Sequence, residues 1–321
     1  MHDKITIQNG SKKSLIKVWG LLFLIASYSF LAYKLFTYNQ YPQLLEYWKH
    51  VPETQFWWLF AVFLLLPANW VIESVKWKYI TVHIQSISLK TAIKGVLAGI
   101  STGFFTPNRV GELVGRVMYL DAENRKSGVT LSLLSGMTQS FVMTLCGLPA
   151  CIIFFSTTKN NFAITGTYLI FIIFFLIGLG LLYFFLPSIS QLFNKSKFSG
   201  KIKEYTNCLL KYSTWELFLI ISISVFRYSV FCVQFYCMLR FFGIELTVLN
   251  ALIAIPTSYL FVTFTPSFAF SDAAVRGSIA VLVIGVFCQN EISIALAGIC
   301  IWLINFVIPM LVGSVMLVRK N

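Results

Sequence analysis

Hydrophobic positions in this chain fall in long blocks rather than in a short period. The blocks 17–36, 56–75, 129–156, 163–186, 217–242 and 292–317 reach about 20 residues or more and are nearly free of charge. About 20 apolar residues are needed to cross a ~30 Å hydrocarbon core. Helices are predicted, because a backbone in lipid must satisfy its own hydrogen bonds. Two further apolar stretches, 91–120 and 247–288, are interrupted by Pro107 and Pro266. Each is predicted as a re-entrant hairpin or as a pair of short helices. The pattern predicts an all-α polytopic membrane protein of six spanning helices plus two Pro-broken hairpins, with an inverted-repeat-like arrangement. One integral membrane domain is expected over 1–321. Its first half is 17–186, an amphipathic Lys-rich loop at 187–216 is expected to lie on the cytoplasmic surface, and the second half is 217–318. The block 17–36 is too long for a cleavable leader and reads as a signal anchor.

Composition agrees. Of 321 residues, 57% are hydrophobic and 12% charged, against about 25% charged in soluble domains. That excludes a soluble enzyme, a secreted disulfide scaffold and a nucleic-acid-binding domain. The net charge of +13 acquires meaning from its placement. Lys4, Lys12, Lys13 and Lys17 precede the first block. Lys76, Lys78, Lys90 and Lys94 follow the second, which makes Glu73 a residue at the end of a span. Arg125, Lys126, Lys195, Lys197, Lys201, Lys203, Lys211, Arg319 and Lys320 complete one side, 17 charges in all, against Lys34, Lys49, Lys159 and Arg240 on the other. By the positive-inside rule both termini are cytoplasmic. The seven cysteines have no metal or redox spacing, and neither a cofactor nor a metal is expected. Trp57, Trp58, Trp70, Trp77 and Trp302 suit interfacial belts. Asn69, Gln139, Gln234 and Asn305 are expected to make interhelical hydrogen bonds.

Four basic residues remain at membrane depth, and all are arginine: Arg109, Arg116, Arg227 and Arg276. Two acids accompany them, Glu112 and Asp272. A charge at mid-bilayer costs about 2.5–3.5 kcal/mol on insertion scales and faces a bundle interior or wet cavity. Arg116–Glu112 and Arg276–Asp272 stand at i, i+4 on one helical face and neutralise each other. Arg109 and Arg227 leave an excess, which an anionic ligand would balance. Guanidinium suits that role, since it forks onto two oxygens of a phosphate or carboxylate.

The surroundings repeat. Phe105-Thr106-Pro107 is followed by Arg109, Gly111, Glu112 and Arg116; Phe264-Thr265-Pro266 is followed by Asp272 and Arg276. Thr is a good N-cap and Pro suits the first helical turn, so Thr106 and Thr265 are each expected to open a half-helix. Entered from opposite sides, the two starts resemble an inverted repeat, and Arg109 and Arg276 are expected to converge near the midplane. Two helix N-termini with arginines nearby form an anion site. Gly111 is given a backbone-approach role within the small-residue stretch from Gly95 to Gly115.

Pro107, Arg109, Gly111, Glu112 and Arg116 resemble the signature of the flippase-like family that includes the transmembrane region of lysylphosphatidylglycerol synthases. The segment after Pro266 is similar in position to a later element of that family, with Ser267, Phe268 and Phe270 replacing glycines and Asp272 supplying the acid. The resemblance covers about 90–318. It implies a protein of the bacterial plasma (inner) membrane that moves or presents an anionic phospholipid or polyprenyl-phosphate-type lipid. The leading expectation is a translocase binding a headgroup through Thr106, Pro107, Arg109, Gly111, Glu112, Arg116, Arg227, Thr265, Pro266, Asp272 and Arg276. The alternatives are a non-transporting accessory subunit of an envelope glycolipid or glycan pathway, a lipid-phosphate enzyme using Glu112 and Asp272 as acid and base, and a small-anion transporter. The chain ends without the soluble aminoacyl-transfer domain of the synthases, so no enzymatic activity is expected.

Overall fold

The computed structural model describes residues 51–104, 106, 109–158, 166–195, 203, 205–266 and 269–318, together with Ser29, Tyr33 and Pro42. The predicted first span lies outside the described residues apart from Ser29 and Tyr33, and Pro107 lies outside them too. The described residues are mostly helical, joined by short turns and loops, and without strands. Helix α1 spans Glu53–Thr81, α2 Leu89–Phe104, α3 Gly111–Val117 and α4 Arg125–Thr158. Helices α5, Gly166–Phe184, and α6, Leu186–Lys195, follow. Next come α7, Thr214–Phe241, α8, Val248–Phe264, and α9, Ala269–Ile284. Helix α10, Glu291–Trp302, continues through a π-helical turn, Leu303–Val307, into α11, Ile308–Val318.

Four of these units are long and apolar enough to cross a membrane: α1, α4 with its leading turn, α7, and α10 through α11. A fifth is the pair α5–α6, bent by 61° at Phe185. The count among the described residues is therefore four or five, where five of the six predicted blocks fall.

The two Pro-broken stretches are unequal. The first is 16 residues of α2 and seven of α3. At 1.5 Å per residue, α3 rises only about 10 Å, a third of the hydrocarbon thickness. The second consists of 17 and 16 residues, two helices of about 25 Å each. Each is a helix, a break and a second helix carrying an acid and an Arg one turn apart, and the likeness ends there. Proline does not itself make the break, since Pro67, Pro149 and Pro256 lie inside continuous helices.

Helices α2 and α3 fold back on one another through glycine. A Cβ on Gly115 would stand 2.7 Å from the Cα of Gly99, and one on Gly103 would stand 3.2 Å from the Cβ of Glu112. No larger side chain fits between these backbones, the small-residue rule of membrane helix packing. Thr102 fastens the hairpin, its Oγ1 donating to the Gly111 carbonyl at 2.7 Å. Around the hairpin, α1 packs on α7, α4 on α8, α9 on α10 and α11 on α2. At one end of the α1–α7 pair His83 bonds Glu216 at 2.7 Å, and Glu216 also completes a capping box with Ser213. Outward positions of α5 such as Phe171 and Phe174 are exposed, as expected of a surface that meets lipid.

Candidate functional site

The expected N-caps are not N-caps. Thr106 Oγ1 donates to the Gly103 carbonyl at 3.1 Å and accepts from the Gly111 amide at 2.8 Å, so it closes the end of α2 and the turn beyond. Helix α3 begins only at Gly111, after Val110, because Arg109 has φ +57°, a left-handed conformation that interrupts a right-handed helix. Thr265 is the C-cap of α8, its hydroxyl donating to Phe261 O at 2.8 Å. Both threonines therefore finish the preceding helix; their hydroxyls bond backwards, as Ser and Thr do when a carbonyl one turn earlier lies within reach. Thr106 and Gly111 do not line the cavity described next. Gly111 instead packs against the Thr102 carbonyl.

The remaining predicted residues converge. A cavity of about 530 Å³ is lined by Arg109, Glu112, Arg116, Arg227, Thr265, Pro266, Asp272 and Arg276, drawn from α3, α7, α9 and the two breaks. Arg109 Nη2 meets Asp272 Oδ2 at 3.0 Å, and Arg276 Nε meets Asp272 Oδ1 at 3.3 Å. The two arginines, 167 positions apart in sequence, thus share one carboxylate. Their guanidiniums also share one aromatic ring, that of Phe306, at 3.6 Å for Arg109 and 4.8 Å for Arg276. The favourable ring face and the carboxylate between them make the proximity of two cations tolerable.

The second group was only half legible. Arg116 pairs with Glu112 as expected, but its other partner is Glu73, at 2.7 Å. Glu73 also holds Arg227 at 2.9 Å and Lys76 at 2.9 Å. It is not a flanking residue at a span end: its side chain is 2% exposed and that of Lys76 is 1% exposed. Lys76 is therefore a fifth cation at membrane depth, and depth is not reserved for arginine. Helix α1 continues to Thr81, well past the apolar block, and this carries both residues into the bundle. Ser135 ties the group to α4, donating to Glu73 at 3.2 Å.

Two tryptophans assigned to interfacial belts also belong inside. Trp302 Nε1 donates to Asp272 at 2.9 Å, and Trp77 lies 5.7 Å from the Arg116 guanidinium. Of the four uncharged polar residues, Asn69 and Gln139 accept from Arg227 at 2.9 and 3.4 Å and Gln234 donates to Val62 O at 2.9 Å, all between helices. Asn305 instead bonds its own helix, at Ile301 O.

A second cavity of about 610 Å³ adjoins the first and shares Arg109, Glu112, Arg116, Gly136, Ser140 and Phe264 with it. Elsewhere its walls are mainly apolar, with Leu133, Met137 and Phe141 of α4 and Phe175, Leu179 and Leu182 of α5, and Ser132, Thr144 and Tyr183 as the polar exceptions. Several of these side chains are exposed on the outer surface. Gly136 stands at the junction, and a Cβ added there would meet nothing within 4 Å.

The fold and the cavity define an all-helical integral membrane protein with a buried cluster of charge. Over residues 16–314 the chain matches the family described as the lysylphosphatidylglycerol synthase TM region, and it belongs to that family. No curated protein matches it.

Proposed function

We propose that the protein is a translocase for an anionic lipid, whose headgroup enters the charged cavity while its hydrocarbon occupies the apolar one. The observation that carries this reading is the junction of the two cavities. Five cations and three carboxylates line the first, an arrangement with net positive charge, and a lipid-facing apolar chamber opens from it. A free anion has no use for the second chamber, and a purely structural charge network has no use for the first. The start of α3 plays no part in this reading, because Thr106 Oγ1 already accepts the Gly111 amide. Binding is assigned to side chains: Arg109, Arg227 and Arg276, with Arg116 held by Glu73 and Glu112.

An enzymatic role is disfavoured by the same contacts. Glu112 is engaged by Arg116, and Asp272 by Arg109, Arg276 and Trp302. Both acids are thus already engaged in holding arginines and an indole. The proposed setting is the bacterial plasma membrane with cytoplasmic termini, supported by the asymmetry of basic residues.

Liposomes containing the purified protein and a fluorescent phosphatidylglycerol test the proposal. Bleaching of the outer leaflet should proceed to completion with the protein and stop at half without it. Gly136→Leu, which fills the junction from open space, should slow transfer at least about tenfold, equivalent to 1.4 kcal/mol, with no loss of fold. Binding without transfer would assign the accessory role instead.

A further inference from the structure

The charges lining the cavity divide into two groups, each with one cation in excess. Around Glu73 stand Lys76, Arg116 and Arg227, opposed by Glu73 and Glu112; around Asp272 stand Arg109 and Arg276. Two uncompensated positive charges in a low-dielectric interior are costly until matched. One negative charge would satisfy only one of the two groups.

Unused donors accompany the charges. Asn69 Oδ1 and Gln139 Oε1 are both fixed as acceptors by Arg227, which turns their amide nitrogens away from it. Asn69 Nδ2 and Gln139 Nε2 are buried without a hydrogen-bond partner, in side chains that line the cavity; Asn69 is 2% exposed. On the other side, Arg276 Nε stands 3.3 Å from Asp272 Oδ1 and is buried without a hydrogen-bond partner. Buried donors are seldom left unpaired. Here they belong to both groups and face one space.

We infer that the headgroup recognised is a dianion, a terminal phosphomonoester, rather than the singly charged phosphodiester of ordinary phospholipids. The inference rests on the lipid-anion reading above and narrows it. A phosphomonoester carries about −1.5 to −2 at pH 7 and presents three acceptor oxygens. It therefore supplies one charge for each group and acceptors for Arg227 with its flanking amides on α7, α1 and α4, and for Arg276 on α9. A phosphodiester has one charge and two free oxygens, and leaves one group unmatched.

Equilibrium binding to the purified full-length protein in detergent tests this with three probes: decyl phosphate, methyl decyl phosphate and inorganic phosphate. At pH 7.5 decyl phosphate should bind at least about tenfold more tightly than its methyl diester. The preference should decline as the pH falls through about 6, where the monoester takes up its second proton, while diester binding stays level. Arg276→Gln should bring the two decyl compounds toward parity, and Arg276→Lys should retain the preference. Equal affinities for both decyl compounds in the wild-type protein would overturn the dianion and leave the lipid-anion site standing. Binding of neither would overturn both. Inorganic phosphate binding as tightly as decyl phosphate would overturn the amphiphile and leave a free-anion site.

Discussion

Glu73 carries a heavier structural load than either acid recognisable from the repeated motif. It stands against Lys76, Arg116 and Arg227, whereas Glu112 is a quarter exposed and pairs with Arg116. Breaking a buried ion pair by removing one partner costs about 3–5 kcal/mol, because the other charge is left uncompensated. Glu73→Gln is therefore expected to destabilise the protein by that order, and by more than Glu112→Gln; unfolding midpoints in detergent check the ranking. At Asp272 the binding assay gives a second readout. Asp272→Asn releases Arg109 and Arg276 to repel each other beneath one ring, and headgroup affinity should fall at least about tenfold in the binding assay. Arg109→Lys keeps the charge but not the forked geometry. It should weaken binding while the protein still unfolds cooperatively in detergent.

Among the elements, the α2–α3 hairpin and α4 make opposite predictions for glycine. Gly115 lies against Gly99 and Ala98 with no room for a side chain, and Gly115→Val should cost at least about 1–3 kcal/mol through overpacking. Gly136 faces open space, and Gly136→Leu should leave the midpoint unchanged while blocking the junction. These helices were legible as apolar blocks because bilayer crossing fixes their length. Arg109, Arg116 and Arg276 were legible because charge inside such a block has few structural reasons to exist. The ends of the blocks were not. Hydropathy stops α1 near residue 75, yet the helix continues to Thr81, so Glu73 and Lys76 were read as a polar flank. In sequence a charge in a cavity and a charge in a loop differ only by what lies opposite, and here that is Arg227, more than 150 residues away. Similarly, Thr-Pro marks a chain break in both stretches without saying which helix the hydroxyl serves. Trp77 and Trp302 were assigned to the interface by composition, since nothing local distinguishes a belt tryptophan from one that bonds a buried acid.

For the molecule as a whole, moving Lys76 into the interior lowers the basic count on one side from 17 to 16 against four, and the orientation is unaffected. Cysteines introduced singly at Lys49 and Asn161 should react with an impermeant maleimide in intact cells, and those at Lys201 and Asn321 only after lysis. Reaction at 201 in intact cells would overturn the inverted-repeat arrangement, because the two breaks could then enter from the same side.

Arg109 sits at φ +57°, a conformation that costs an L-residue with a Cβ about 1–2 kcal/mol and glycine almost nothing. Arg109→Gly would relieve that strain, and Asp272 would still be held by Arg276 and Trp302. Selection for thermal tolerance alone should therefore drive this position toward glycine, with asparagine next, while selection for ligand capture should hold it at arginine. A saturation library at position 109, sorted once by heat survival and once by decyl phosphate retention, should separate into those two populations. Enrichment of arginine in the heat-sorted pool would mean that the side chain stabilises the fold more than its backbone strains it, and that stability and capture do not conflict at this position.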